Sequence, residues 1–246
     1  GIGLEDARRA QAGGNWTITG QGEVLNYTLT AAFGRQHQGD ESFGHVLGTD
    51  AQGATTLEQN SHSIGESHRN GLFMNGRLQL RFGPGHTLDL QPFANFGRNH
   101  GNSHTTLDQP IGRMPAAFAL ADTDSRSDST MARLNGTWMR TLADGGRLQM
   151  RFGTSAARSS SLANRLEYGT QGALSRTKID DSAVRDTTVD VNGKYSQLLA
   201  DRHSMSLGWE MQQGRRSDRR TTTENGVPTL TDFGDTLEAR TLRLAG

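Results

Sequence analysis

The chain of 246 residues has no cysteine, which excludes a disulfide scaffold and any thiolate metal site. It also lacks a run of about 18 apolar residues, so no transmembrane helix is predicted. Neither sign of charge dominates, because 26 basic residues balance 26 acidic ones. That balance gives no general attraction to nucleic acid or to an acidic substrate, and no nucleic-acid partner is expected. Gly1-Ile2-Gly3 runs into Glu5, Asp6, Arg8 and Arg9, which is not the pattern of a signal peptide. Apolar residues are scarce at 33%, too few to cover both faces of every element. They are not thinly scattered, however, and that separates the chain from a disordered one.

What is present is alternation. From Gly71 to Phe82, Leu72, Met74, Leu78, Leu80 and Phe82 occupy even positions, with Phe73, Asn75, Arg77, Gln79 and Arg81 between them. Gly83-Pro84-Gly85-His86 makes a tight turn, after which Leu88, Leu90, Ala94 and Phe96 alternate with Asp89, Gln91, Phe93 and Asn95. Successive side chains of a strand point to opposite faces, so this segment predicts a β-hairpin with one apolar and one polar face. The pattern recurs. Trp16 and Ile18 precede Leu25, Tyr27, Leu29, Ala31 and Phe33 across Gly20 to Glu23. Leu134, Gly136 and Trp138 lead through Ala143-Asp144-Gly145-Gly146 to Leu148, Met150 and Phe152. Val189, Val191 and Tyr195 lead through Leu199-Ala200-Asp201-Arg202 to Met205, Leu207, Trp209 and Met211.

Between these hairpins lie long polar stretches without apolar alternation, near 36-69, 98-126, 157-185 and 214-234. Read as loops, they give a rhythm of short turns and long loops that matches outer-membrane β-barrels. The fold class this predicts is all-β: an antiparallel up-and-down meander of about nine strands over 1-246, part of a transmembrane β-barrel. Tyr27, Phe82, Trp138 and Tyr195 fall near the short turns on the apolar parity, where an interfacial girdle is expected. On the polar parity Arg77 and Arg81 face Asp89, and Arg133, Arg147, Arg151 and Lys194 share that side. A hydrated lumen tolerates such charges, whereas a dry core would not.

The segment Asn26-Tyr27-Thr28-Leu29, and Asp232-Phe233-Gly234-Asp235 followed by Leu237-Glu238-Ala239-Arg240, resemble barrel strands of TonB-dependent outer-membrane receptors. The resemblance implies a segment of a Gram-negative outer-membrane transporter for a siderophore, haem or saccharide. Its implied partners are outer-membrane lipid, a plug domain, TonB and the nutrient. No TonB box or plug is visible here, and a complete transporter of this kind has about 22 strands, so the chain resembles a barrel fragment. Two alternatives stand beside this reading: another outer-membrane barrel, a pore or adhesin, and a soluble extracellular β-rich binding module. A fragment folding away from lipid is expected to cover its apolar parity by self-association.

Several constellations have chemical potential. His37, His45, His62 and His68 fall in one expected loop, and His100 and His104 in the next, near Asp40, Glu41 and Glu66. Imidazoles so gathered could hold a metal or a metal chelate, but the spacing fits no compact ligand motif, and solvated loop histidines are expected. Asp122-x-Asp124-x-Arg126-x-Asp128 begins like a calcium loop, yet Ser127 stands where glycine is needed and Arg133 where the bidentate glutamate belongs. Arg215, Arg216, Arg219 and Arg220 could attract an anion. Ser103 beside His104 is adjacency without a third, orienting group. The expectation is therefore no enzyme, no catalytic residue, no metal and no cofactor, with ligand-contacting residues unassigned.

Overall fold

In the computed structural model the described residues are 2-6, 9-200, 203-229 and 236-245. They form one antiparallel sheet of eleven strands. Short strands β1 (Ile2–Asp6) and β2 (Arg9–Gly20) begin it. Seven long ones follow: β3 (Leu25–Thr49), β4 (Thr55–Gly83), β5 (His86–Ile111), β6 (Leu120–Thr141), β7 (Arg147–Tyr168), β8 (Leu174–Ala200) and β9 (His203–Glu224). Strands β10 (Val227–Thr229) and β11 (Thr236–Ala245) both line the same edge of β9, so eleven strands fill ten positions.

The predicted hairpins are there. Leu78 pairs with Leu90 and Leu80 with Leu88 across the Gly83 to His86 turn, and Trp138 pairs with Met150. Arg77 donates from Nε and Nη2 to Asp89 Oδ2 at 2.9 and 2.6 Å, as the complementary charges required. The Asn26 to Leu29 segment lies on β3 and Leu237 to Arg240 on β11. Asp232 to Asp235 lie outside the described residues, as does part of the Leu199 to Arg202 turn.

The long polar stretches are not loops but strand. The ladder of β3 on β4 runs unbroken from Leu25↔Leu80 to Gly48↔Leu57, through nearly all of 36-69. Only Asp50 to Ala54 turns, held by Asp50 Oδ1, which accepts from the amides of Gln52 at 3.0 Å and Ala54 at 2.8 Å. The strands on either side of 98-126, 157-185 and 214-234 extend likewise. Apolar alternation marks a strand only when one face is apolar, and here both faces are polar. Cross-strand pairs replace it: Thr105 Oγ1 donates to Ser63 Oγ at 3.0 Å and Gln59 Nε2 to Gln109 Oε1 at 2.7 Å.

The barrel expectation is overturned by the topology. The strand order is linear, and no ladder joins β1 or β2 to β10 or β11 among the described residues. Among the described residues every contact between strands runs between hydrogen-bonded neighbours, and none of them forms a second layer on either face. In hydrocarbon each unpaired N–H and C=O along such an edge costs several kcal/mol, about the cost of burying an amide unpaired. An open sheet is therefore not a transmembrane barrel. The transporter function, the outer-membrane location and the lipid, plug and TonB partners fall with closure. Among the described residues no helix is long and apolar enough to cross a membrane either, which says nothing about strands.

A single layer leaves almost no core. Among the described residues Ala121 is the one buried hydrophobic, and Trp16, Phe33, Leu207 and Leu244 are all more than 60% exposed. The expected aromatic girdle becomes local packing: Phe82 lies 4.8 Å from His86, and Trp138 Nε1 donates to His86 Nε2 at 3.0 Å. Along the apolar parity, rings lie across glycines of the neighbouring strand, Trp209 over Gly193 and Phe152 over Gly136.

Candidate functional site: a histidine–carboxylate face

In antiparallel pairing, directly opposed residues share a face. On that rule His37 and His45 of β3, His62 and His68 of β4, and His100 and His104 of β5 all lie on one face. Six histidines expected in two solvated loops thus sit in rows on three adjacent strands. They continue the apolar parity beyond the point where its apolar side chains end. Most are paired with carboxylates of the same face. His62 Nε2 lies 2.9 Å from Glu41 Oε1 and stacks on Phe43 with centroids 4.4 Å apart. His104 Nδ1 lies 2.7 Å from Asp122 Oδ1, His45 Nε2 3.4 Å from Glu58 and His100 Nε2 3.5 Å from Asp124.

The same register explains the Asp122-x-Asp124-x-Arg126-x-Asp128 run. It is strand, not loop, so all four side chains of β6 point one way. Their partners on β5 match them in charge: His104 for Asp122, His100 for Asp124, and Arg98, whose Nε donates to Asp128 Oδ1 at 2.8 Å. That carboxylate holds the Arg98 guanidinium above its ordinary value, first through the hydrogen bond and then through its charge. An extended strand cannot wrap a calcium ion, so the calcium reading fails on geometry as well as on Ser127 and Arg133.

The other constellations come apart. Ser103 and His104 are neighbours on β5 and therefore point to opposite faces. The arginines of β9 divide in the same way, Arg215 and Arg219 on one face and Arg216 and Arg220 on the other. Arg219 Nη2 is 3.1 Å from Asp181, Arg216 Nη2 3.6 Å from Asp218 and Arg215 Nη2 3.7 Å from Glu238, so three of the four are already matched. Asp40 lies on the face opposite the histidines, accepting from Gln38 Nε2 at 2.7 Å.

What remains is a shallow depression of about 420 Å³ on the histidine face, over β4 to β7. Glu66, Asp122 and Asp124 line it, with Ile64 and Leu166 as its apolar surface. Asp122 and Asp124 face histidine or arginine partners, whereas Glu66 has no ion pair among the described residues. Among the described residues no three His, Asp or Glu side chains are grouped so that they could hold a metal ion. Sequence reasoning singled out these residues but not their common face. The even spacings His37/His45, His62/His68 and His100/His104 carried that signal, since even spacing on a strand means one face.

The fold defines the chain as an open, single-layered antiparallel β-meander. No family model matches it, and no curated protein does. Among solved structures it is similar to the ferric yersiniabactin uptake receptor FyuA from Yersinia pestis, with 11% identity and a TM-score of 0.33. The match covers 96% of this chain and 41% of that one, so the chain spans about two-fifths of the receptor's length. A likeness at that score carries no argument about function. The resemblance to TonB-dependent receptors reduces to an all-β chain weakly similar to one receptor, with a sheet that does not close.

Proposed function

We propose that the chain is a binding module without catalytic activity, and that it takes a small cationic ligand on the histidine–carboxylate face. Of the readings open to the sequence, both barrel readings require closure, and the β-rich binding module does not. The observation that carries the proposal is Glu66, a carboxylate without an ion-pair partner among the described residues, beside Asp122 and Asp124 in one depression. Three carboxylates at the rim favour ammonium groups, and Ile64 and Leu166 favour the methylenes between them. A linear polyamine combines both. The site has no nucleophile with a base and an orienting group in reach.

Calorimetry of the full chain with spermidine is expected to show one saturable site that weakens steeply with added salt, because the rim is exposed and screened. Glu66→Gln combined with Asp124→Asn should weaken it by at least about tenfold, equivalent to roughly 1.4 kcal/mol. No saturable heat at low salt, or an affinity indifferent to both substitutions, would overturn the proposal.

A further inference from the structure

We infer that Arg69 anchors a second binding site, on the sheet face opposite the histidines, for a phosphate or sulfate ester of a small hydroxylated molecule. Arg69 follows His68 on β4, so its side chain stands on the other face. The register lays a polar row across four strands: Gln36 opposes Arg69, Arg69 opposes Asn99 and Asn99 opposes Ser127. With Ser67 and Ser129 these side chains line a depression of about 380 Å³ that no carboxylate enters among the described residues. Arg77, Arg98 and Arg126 are matched by Asp89, Asp128 and Asp124. Arg69 has neither an ion pair nor a side-chain hydrogen bond among the described residues. Asp40 is the next acidic side chain of that face along β3, and it accepts from Gln38 Nε2 at 2.7 Å.

The donor set identifies the charged end of the ligand. A guanidinium is a planar fork of N–H donors that grips an oxyanion through two parallel hydrogen bonds. Gln36 and Asn99 flank it, with opposed Cβ atoms about 4.5–5.5 Å apart, and each brings an amide with both donors and an acceptor. Ser67, Ser127 and Ser129 add hydroxyls. None of these five side chains is hydrogen-bonded to another protein group among the described residues, so all are open to a ligand. A phosphate or sulfate group has oxygens for several such donors at once. The depression is wider than one such group, and its amide and hydroxyl oxygens suit the hydroxyls of the remainder. Gly97 lies in its floor opposite Ser129, where the missing side chain lets ligand atoms approach the backbone. The amine site is separate: it lies on the histidine face and is lined by carboxylates.

The test is calorimetry of the full chain at low salt with glucose 6-phosphate, glucose 6-sulfate and glucose itself, alongside the arginine Nε–H resonances. Saturable binding of at least one ester and not of glucose is expected, with the Arg69 resonance shifting and that of Arg35 staying in place. The tighter ester identifies the charged group. Arg69→Gln should weaken binding by at least about tenfold, and Asn99→Ala by about fivefold, the worth of one hydrogen bond. Arg35→Gln removes the same charge from the opposite face of β3 and should leave binding unchanged. Should Arg69→Gln fail to fold by circular dichroism, Arg69→Lys keeps the charge and removes the fork, and it should still weaken binding. Equal loss in the Arg35 variant, equal binding of glucose, or no saturable heat with either ester would overturn the inference. Glu66→Gln with Asp124→Asn, which weakens spermidine binding, should leave the ester site intact, so each site can fail without the other.

Discussion

Replacing Glu167 by glutamine is expected to destabilise the sheet by about 2–3 kcal/mol, the largest effect of any single polar substitution in the chain. Glu167 is 2% exposed and is the largest fully buried side chain among the described residues. It accepts from Arg165 Nε at 2.7 Å and Arg176 Nε at 2.7 Å. Arg165 also lies 4.8 Å over the Phe118 ring. Glutamine keeps the shape but removes the charge, leaving two guanidiniums against each other. Both are about a third exposed, which holds the cost below the full range for a dry ion pair. Urea unfolding followed by circular dichroism measures it, and a change under about 0.5 kcal/mol would mean water satisfies the cluster.

Acid reaches the same cluster. Burial pushes the Glu167 carboxyl up, but the hydrogen bonds from Arg165 and Arg176 outweigh it and leave the group below its ordinary value. Asp180 behaves alike: burial raises it, and the Thr222 hydroxyl and Lys178 bring it below. A carboxyl depressed by folding stabilises the folded state above its unfolded pKa and loses that contribution as pH falls through the folded value. Stability should therefore hold from neutrality down to about pH 4 and decline below it. In the glutamine variant the decline should be shallower.

Valine at Gly193 is expected to cost about 1–2 kcal/mol, against the propensity rule that favours valine over glycine in a strand. The Trp209 ring lies directly over Gly193, and a Cβ there would overlap its six-membered ring. The ring must swing off the sheet and lose the surface it covers. Combined with Trp209→Ala the sign should reverse, because the obstacle is gone and only the strand preference remains. Were Gly193→Val equally costly in both backgrounds, strain in the β8 backbone rather than the ring would be the cause.

These two sites show how much the sequence discloses. The hairpins around Gly83 and Gly145 were legible because apolar and polar residues alternate up to the turn. The Arg77–Asp89 pair was legible because both lie on the polar parity beside one turn. The upper halves of β3 to β9 were not, because Ser, Thr, Asn and charged residues fill both faces and leave no hydrophobic period to read. Their strand character is written in pairs, such as Asp128 with Arg98 or Asp122 with His104, which appear only once the register is known. Closure was the other failure. An apolar parity reads the same whether a sheet closes or stays open, since that depends on the edges rather than on the alternation. The histidine face lay between these cases, its residues visible but its unity hidden by reading 36-69 and 98-126 as loops.

The measurement that tests the account most directly is the distance between the two edges of the sheet. The chain has no cysteine, so Asn15→Cys on β2 and Arg243→Cys on β11 give two unique positions for spin labels. Eight steps between strands, at about 4.8 Å each, separate them along the sheet. Pulsed electron paramagnetic resonance on the doubly labelled chain should give a distance well beyond about 20 Å for an open meander. A distribution centred at or below about 15 Å, with the edges hydrogen-bonded to each other, would contradict it.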